Sequence, residues 1–127
     1  MDHFDIDEAA LSRIRSADRD QPVTMLNLVR FREHALDGFG VDGFSGIEAF
    51  EHYAMLNATE GVDYAGAVTW MGRGGVTVVG SEQWDMAILV SYPTRQHFLD
   101  KLDDPKYQAI AGIRSAALAD SRLIEFT

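Results

Sequence analysis

The stretch that decides the fold is Trp84-Asp-Met-Ala-Ile-Leu-Val-Ser-Tyr-Pro93, followed by a segment from Thr94 to Leu102, then Asp104-Pro105-Lys106-Tyr107-Gln108, then Ser121-Arg-Leu-Ile-Glu-Phe126. Trp84, Met86, Ile88, Val90 and Tyr92 alternate with Asp85, Ala87, Leu89 and Ser91, which is the period of a strand with two unlike faces. Pro93 has no N–H to give a ladder and closes the strand. Thr94 is placed to cap a helix over about 94–102. Asp104 caps the next helix, with Pro105 at its first position, where a missing N–H leaves no bond unmade. That helix is expected to run to about Ala119, and residues 121–126 return as a strand.

Upstream, Gln21-Pro22 opens Val23–Phe31, a β-rich run that predicts the first strand. Residues 33–46 contain four glycines and predict a loop. Ser45 and Glu48 have the spacing of a capping box for a helix over about 46–60. Ile47, Phe50 and Ala54 follow at helical spacing with Tyr53 beside them, and Gly61 suits the end of that helix. Residues 63–71 predict a second strand and 75–80 a third, with Arg73-Gly74-Gly75 as the turn of their hairpin. An extra helix is expected over 6–17, capped by Asp7, with Ile6 and Leu11 at the spacing of a hydrophobic staple.

After that first helix the order reads β-α-β-β-α-β, with two consecutive helices in the second crossover. This is an α+β, ferredoxin-like plan with the helices on one face of the sheet. A chain of 127 residues is expected to form a single domain over 1–127. The uncovered face carries apolar and aromatic residues, and a second copy of the chain would bury it, so a homodimer through the sheet is expected.

Composition narrows the chemistry. The net charge of −9, with no Lys/Arg stripe to offset it, argues against a nucleic-acid partner. The absence of cysteine excludes disulfides, thiolate zinc sites and a cysteine nucleophile. His3, His34, His52 and His97 show no metal-ligand spacing, so no metal and no cofactor is expected. Gly72-Arg-Gly74-Gly75 precedes a strand and is not a dinucleotide fingerprint. Asp37 and Asp42 lack the carboxylate density of a calcium loop. No apolar run approaches the roughly 20 residues of a membrane span. The N-terminus is acidic where a secretion signal needs basic and then apolar residues. No membrane partner and a cytoplasmic location are expected.

Four features together resemble a known family. They are Met25-Leu-Asn-Leu-Val-Arg-Phe31, the Gly74-Gly75 hairpin, the strand ending in Tyr92-Pro93, and Asp104-Pro105-Lys106-Tyr107-Gln108 with Arg114 six positions on. The chain is similar to an uncharacterised family of small bacterial domains, domain of unknown function 1330, in the dimeric α/β-barrel superfamily. The resemblance covers most of 23–126. It implies a ferredoxin-like fold and a dimer whose sheets form a barrel, and it implies no activity. The wider superfamily includes cofactor-free quinone-forming monooxygenases, muconolactone isomerases, small dehydratases and haem enzymes, and a shared fold does not transfer function.

Asn27 stands in the middle of an apolar strand, where an amide is costly without a partner. One reading has it hold a ligand carbonyl or oxyanion through its NH2 group, as the asparagine of the cofactor-free monooxygenases resembles it. The other has it bonded to a neighbouring loop or helix end. Tyr107 and Arg114 lie two turns apart on one helix face. Arg114 would fix an anionic group with Tyr107 beside it, or pair with a carboxylate such as Glu125 while Tyr107 packs under the preceding loop. Arg30 is a second anion candidate. Tyr53 would be catalytic or a core aromatic, and His52 and His97 would be solvated. Tyr64, Trp70 and Tyr92 would line a ligand pocket or fill an interface. Phe39 and Phe44 could cover a pocket. Asn27, Tyr53 and Arg114 are thus the catalytic candidates, and Arg30, Tyr64, Trp70, Tyr92 and Tyr107 the ligand-binding ones. Two functions remain open. One is a protein that binds a small, partly aromatic molecule in the barrel cavity, as a cofactor-free isomerase or monooxygenase-like enzyme. The other is a non-catalytic ligand-binding or structural homodimer.

Overall fold

A computed structural model describes residues 6–127, so His3 lies outside the described residues. The elements are α1 (Glu8–Ser16), β1 (Val23–Phe31), α2 (Gly46–Thr59), β2 (Ala67–Arg73), β3 (Met86–Tyr92), α3 (Arg95–Asp103), α4 (Pro105–Ala117) and β4 (Leu118–Phe126). The four strands form one antiparallel sheet in the order β2-β3-β1-β4. That order with these crossovers is the ferredoxin-like α+β fold. The sheet is open: β2 and β4 are its edges.

The helix starts follow the local chemistry. Asp7 accepts from the N–H groups of Ala9 and Ala10. Ser45 accepts from the N–H of Glu48, whose carboxylate accepts from the N–H of Ser45 in return. The Thr94 hydroxyl accepts from the N–H of His97. Asp104 is the only residue between α3 and α4, and it caps the second of them through the N–H of Lys106.

Pairing sorts the strand residues onto two faces, because residues opposite one another share a side. On the helix side, Val23, Met25, Asn27 and Val29 of β1 stand beside Tyr92, Val90, Ile88 and Met86 of β3. β4 adds Glu125, Leu123 and Ser121 to the same side. The main core lies here, where Val29, Ala49, Tyr53, Ile113, Ala116 and Leu118 pack together. A smaller cluster joins Val23, Met25 and Tyr92 to Phe98 of α3. The opposite face carries a row that crosses all four strands: Trp70, Leu89, Leu26 and Ile124.

Three expectations need correcting. Residues 75–80 form no strand, and Arg73-Gly74-Gly75 is not a tight turn. The link between β2 and β3 runs over 74–85, and its Val76, Val78 and Val79 are about nine-tenths exposed. Their β propensity meets no surface to pack on, and such propensity is mostly a packing effect. The second strand begins at Ala67 rather than 63, because Tyr64 and Ala65 take left-handed backbone conformations and make a turn. Finally, α4 passes into β4 at Leu118 without a loop, three residues earlier than expected.

Candidate functional site

A cavity of about 960 Å³ lies between the helix side of the sheet and the helices. Met25, Asn27, Ile88, Val90 and Tyr92 form its floor. Phe50 and Tyr53 of α2, Phe98 and Lys101 of α3, and Tyr107 and Arg114 of α4 form its walls. Ile6, Ala10, Leu11 and Ile14 bring α1 against it. None of the residues of α1 is buried. That helix is held by surface bonds instead, chiefly a two-pronged pair from Arg15 to Asp103 at 2.6 and 3.0 Å.

The polar groups around the cavity form one connected set. Arg114 donates to Asn27 Oδ1 at 3.2 Å and reaches Ser121 Oγ at 3.5 Å. Because a guanidinium only donates, this bond turns the Asn27 carbonyl toward Arg114 and leaves its NH2 group for another partner. The Tyr53 and Tyr107 hydroxyls share a hydrogen bond of 2.8 Å. Burial, reinforced by Tyr53, holds the Tyr107 phenol neutral far above its ordinary range, and burial does the same to Tyr92. Lys101 Nζ sits 5.0 Å from the centre of the Tyr107 ring. Burial pushes the Lys101 ammonium down to about 8, with Asp63 opposing and Arg114 assisting. Asn57 Oδ1 is buried at the same cavity without a hydrogen-bond partner.

Five of the eight candidate residues therefore meet at one void: Asn27, Tyr53, Tyr92, Tyr107 and Arg114. Asn27 bonds to a helix side chain and also lines the cavity. The alternative pairing of Arg114 with Glu125 does not occur. Glu125 takes two hydrogen bonds, each of 2.8 Å, from the buried Arg95.

The other three lie elsewhere. Tyr64 donates to Asp104 Oδ2 at 2.5 Å from the turn before β2, so its phenol is committed to the start of α4. Arg30 faces the other side of the sheet, 3.9 Å from Asp120, in a separate groove of about 470 Å³ with Trp84 and Arg122. Trp70 is 55% exposed on the open face. Simple alternation from Val68 would put Trp70 on the cavity side. A bulge at Thr69 shifts the pairing, so that Val68 opposes Val90 while Trp70 opposes Leu89.

Neither Phe39 nor Phe44 lines the cavity: Phe39 rests on Gly112 of α4, and Phe44 meets the His52 ring. His97 is not solvated as expected but half-buried, its Nδ1 2.7 Å from the Thr94 hydroxyl. Sequence reasoning passed over Lys101, Asn57 and Asp63. The signal for Lys101 was available: on α3 it falls three residues after Phe98, hence on the same helix face. Among the described residues no group of three or more His, Asp or Glu side chains converges as a metal site. Nor is any helix there long and apolar enough to cross a membrane.

No family model and no curated protein matches the chain. Among solved structures, a protein of unknown function from Rhodopseudomonas palustris is 32% identical, with a TM-score of 0.88, over 99% of this chain and 96% of that one. A dimeric ferredoxin-like protein of unknown function from Thermobifida fusca is 14% identical, with a TM-score of 0.50, over 88% of this chain and 95% of that one. A hypothetical Arabidopsis thaliana protein, solved in solution, is 15% identical, with a TM-score of 0.51, over 89% and 93%. The last two show the shared fold. The first shows more, and the chain belongs to the same family as the Rhodopseudomonas palustris protein, a protein of unknown function.

Proposed function

We propose that the cavity binds a small, partly aromatic molecule and acts on it by moving a proton, in an enolisation, isomerisation or oxygenation that needs no metal or redox cofactor. The observation that carries this reading is the meeting of Asn27, three tyrosines and Arg114 at one void of ligand size. In it, the Asn27 NH2 group donates to a carbonyl or developing oxyanion of the ligand. Arg114 holds Asn27 in place through the 3.2 Å bond to its carbonyl. Tyr53, Tyr92 and Tyr107 supply apolar rings with polar tips, and burial keeps the Tyr92 and Tyr107 phenols protonated and able to donate. A screen of melting temperature against small phenols and quinols, hydroquinone first, tests it. A ligand present at 100 times its Kd adds about 3 kcal/mol to the native state and raises the melting point by several degrees. The same compounds should give no shift with Asn27→Ala. If no compound shifts the wild type, or if the shift survives in Asn27→Ala, the reading falls. Binding without turnover would favour the alternative of a non-catalytic binding protein.

The same reading places the chain in the dimeric α/β-barrel superfamily, as a single domain that forms a homodimer. Its support is the open face, where Trp70, Leu26, Leu89, Ile124 and Phe126 make an apolar surface with no helix over it. The Thermobifida fusca protein of this fold is described as dimeric. Two such faces packed together would remove both from water. Ile124→Glu places a charge in that surface at a position already 42% exposed. Sedimentation should show a dimer for the wild type and a folded monomer for the variant. A wild-type monomer at micromolar concentration would refute the dimer.

A further inference from the structure

The charges around the cavity are unusual for this chain, which has 20 carboxylates against 11 lysines and arginines. Several of its guanidinium groups have found a carboxylate: Arg15 with Asp103, Arg95 with Glu125, and Arg122 with Asp120 and Glu82. The two half-buried cations of the cavity have not. Among the described residues, Arg114 bonds only to the neutral groups of Asn27 and Ser121. Lys101 makes no hydrogen bond or ion pair with any of the described residues and lies over the Tyr107 ring.

The acidic groups that also line the cavity are otherwise engaged or distant. Asp7 caps α1, and Glu125 is bound by Arg95. Asp63 is exposed and attracts Lys101 only from beyond ion-pair distance. Cations withdrawn from water in a cavity, with neutral partners only, are costly to the empty protein. They are what an anionic ligand would require.

We propose that the natural ligand is an aromatic carboxylate whose carboxylate group is taken by Lys101 and Arg114 while its ring lies among Tyr53, Tyr92 and Tyr107. The proposal rests on the cavity reading above and adds to it both the charge of the ligand and a binding residue, Lys101. The arrangement has the right parts for the task. Arg114 offers a planar fork of donors suited to a carboxylate, and Lys101 offers a point charge above the Tyr107 ring. The tyrosine rings and Phe50 supply the apolar walls for an aromatic body.

The test is calorimetric titration of the full chain with 4-hydroxybenzoate and with 4-hydroxybenzamide, which has nearly the same shape and no charge. The wild type should bind the acid at least tenfold more tightly than the amide. Lys101→Met should lose at least tenfold for the acid and change the amide little. Equal affinity for acid and amide overturns the anion proposal while leaving the cavity reading intact. Acid binding unchanged in Lys101→Met removes Lys101 from the site. Binding of neither compound overturns the proposal, and the hydroquinone melting screen then decides the reading under it. The melting temperature of Lys101→Met, recorded in parallel, establishes that the variant is folded.

Discussion

Lys101→Met is expected to make the empty protein more stable by about 3 kcal/mol at pH 7. Burial lowers the Lys101 ammonium from 10.5 in an unfolded chain to about 8 in the fold. The folded state therefore holds this proton less well than the unfolded state does. Below pH 8 the side chain is charged in both states, and the full cost of burying the charge falls on folding. Between pH 8 and 10.5 the folded protein sheds the proton while the unfolded chain keeps it, so stability rises with pH. Wild-type denaturation curves should accordingly show stability climbing from pH 7.5 to 9, below the range where unfolded-state tyrosines, with a pKa of about 10, ionise appreciably. Methionine keeps the apolar stem and removes the charge, so the difference between variant and wild type should shrink steadily across that window. A difference that stays constant with pH, or a destabilised variant at pH 7, would contradict this account. A residue that costs stability at a cavity wall is a common sign of a position kept for binding rather than for folding.

Gly46→Ala is expected to destabilise the fold by about 3 kcal/mol or more, although alanine is the better helix former by about 1 kcal/mol. Gly46 opens α2 at the point where the end of β1 and the end of α4 come together. A Cβ there would lie 2.1 Å from the carbonyl oxygen of Arg32, 2.7 Å from that of Ala117 and 2.8 Å from the Arg32 nitrogen. All three are backbone atoms and have no rotamer by which to move aside. Gly46 also donates its N–H to the Arg32 carbonyl at 3.1 Å, which draws the two segments into that contact. Gly75→Ala is the control, since nothing lies within 4 Å of its added carbon. Urea denaturation of the two variants should separate them clearly. Comparable stabilities would mean that the junction is looser than it looks.

How much of this was legible in the chain depended on whether the signal was local. The caps at Asp7, Ser45, Thr94 and Asp104 were readable because each involves a side chain and an N–H two or three residues on. The alternation of Met86, Ile88, Val90 and Tyr92 was readable because β3 is regular and paired on both sides. The strand expected at 75–80 failed because valines raise β propensity without supplying a neighbour, and the neighbour is a long-range fact. At the cavity, Asn27 stood out as an amide in an apolar strand, Tyr92 lay on a regular strand, and Tyr107 and Arg114 shared one helix face by their spacing. Trp70 falls on the open face and not at the cavity because parity is lost at a bulge, and nothing in Val68-Thr69-Trp70 announces one. Tyr64 was misassigned because its partner, Asp104, is 40 residues away. The exposed acids conceal the cations in the same way: a count of charges says nothing of which arginine or lysine goes unmatched.

The irregularity at Thr69 has a companion. Where β1 meets β4, Arg30 opposes Asp120 while Phe31 opposes Leu118, so Ala119 is passed over. The two extra residues thus fall on β2 and β4, the outermost strands of the sheet. A straight border strand offers unpaired N–H and C=O groups to any passing chain, and it invites the sheet to grow sideways without limit. Each kink interrupts that template and coils the border away from a flat approach. With both borders blunted, sideways growth of the sheet is disfavoured, and in the homodimer proposed above two copies would meet through the uncovered broad side and stop at two.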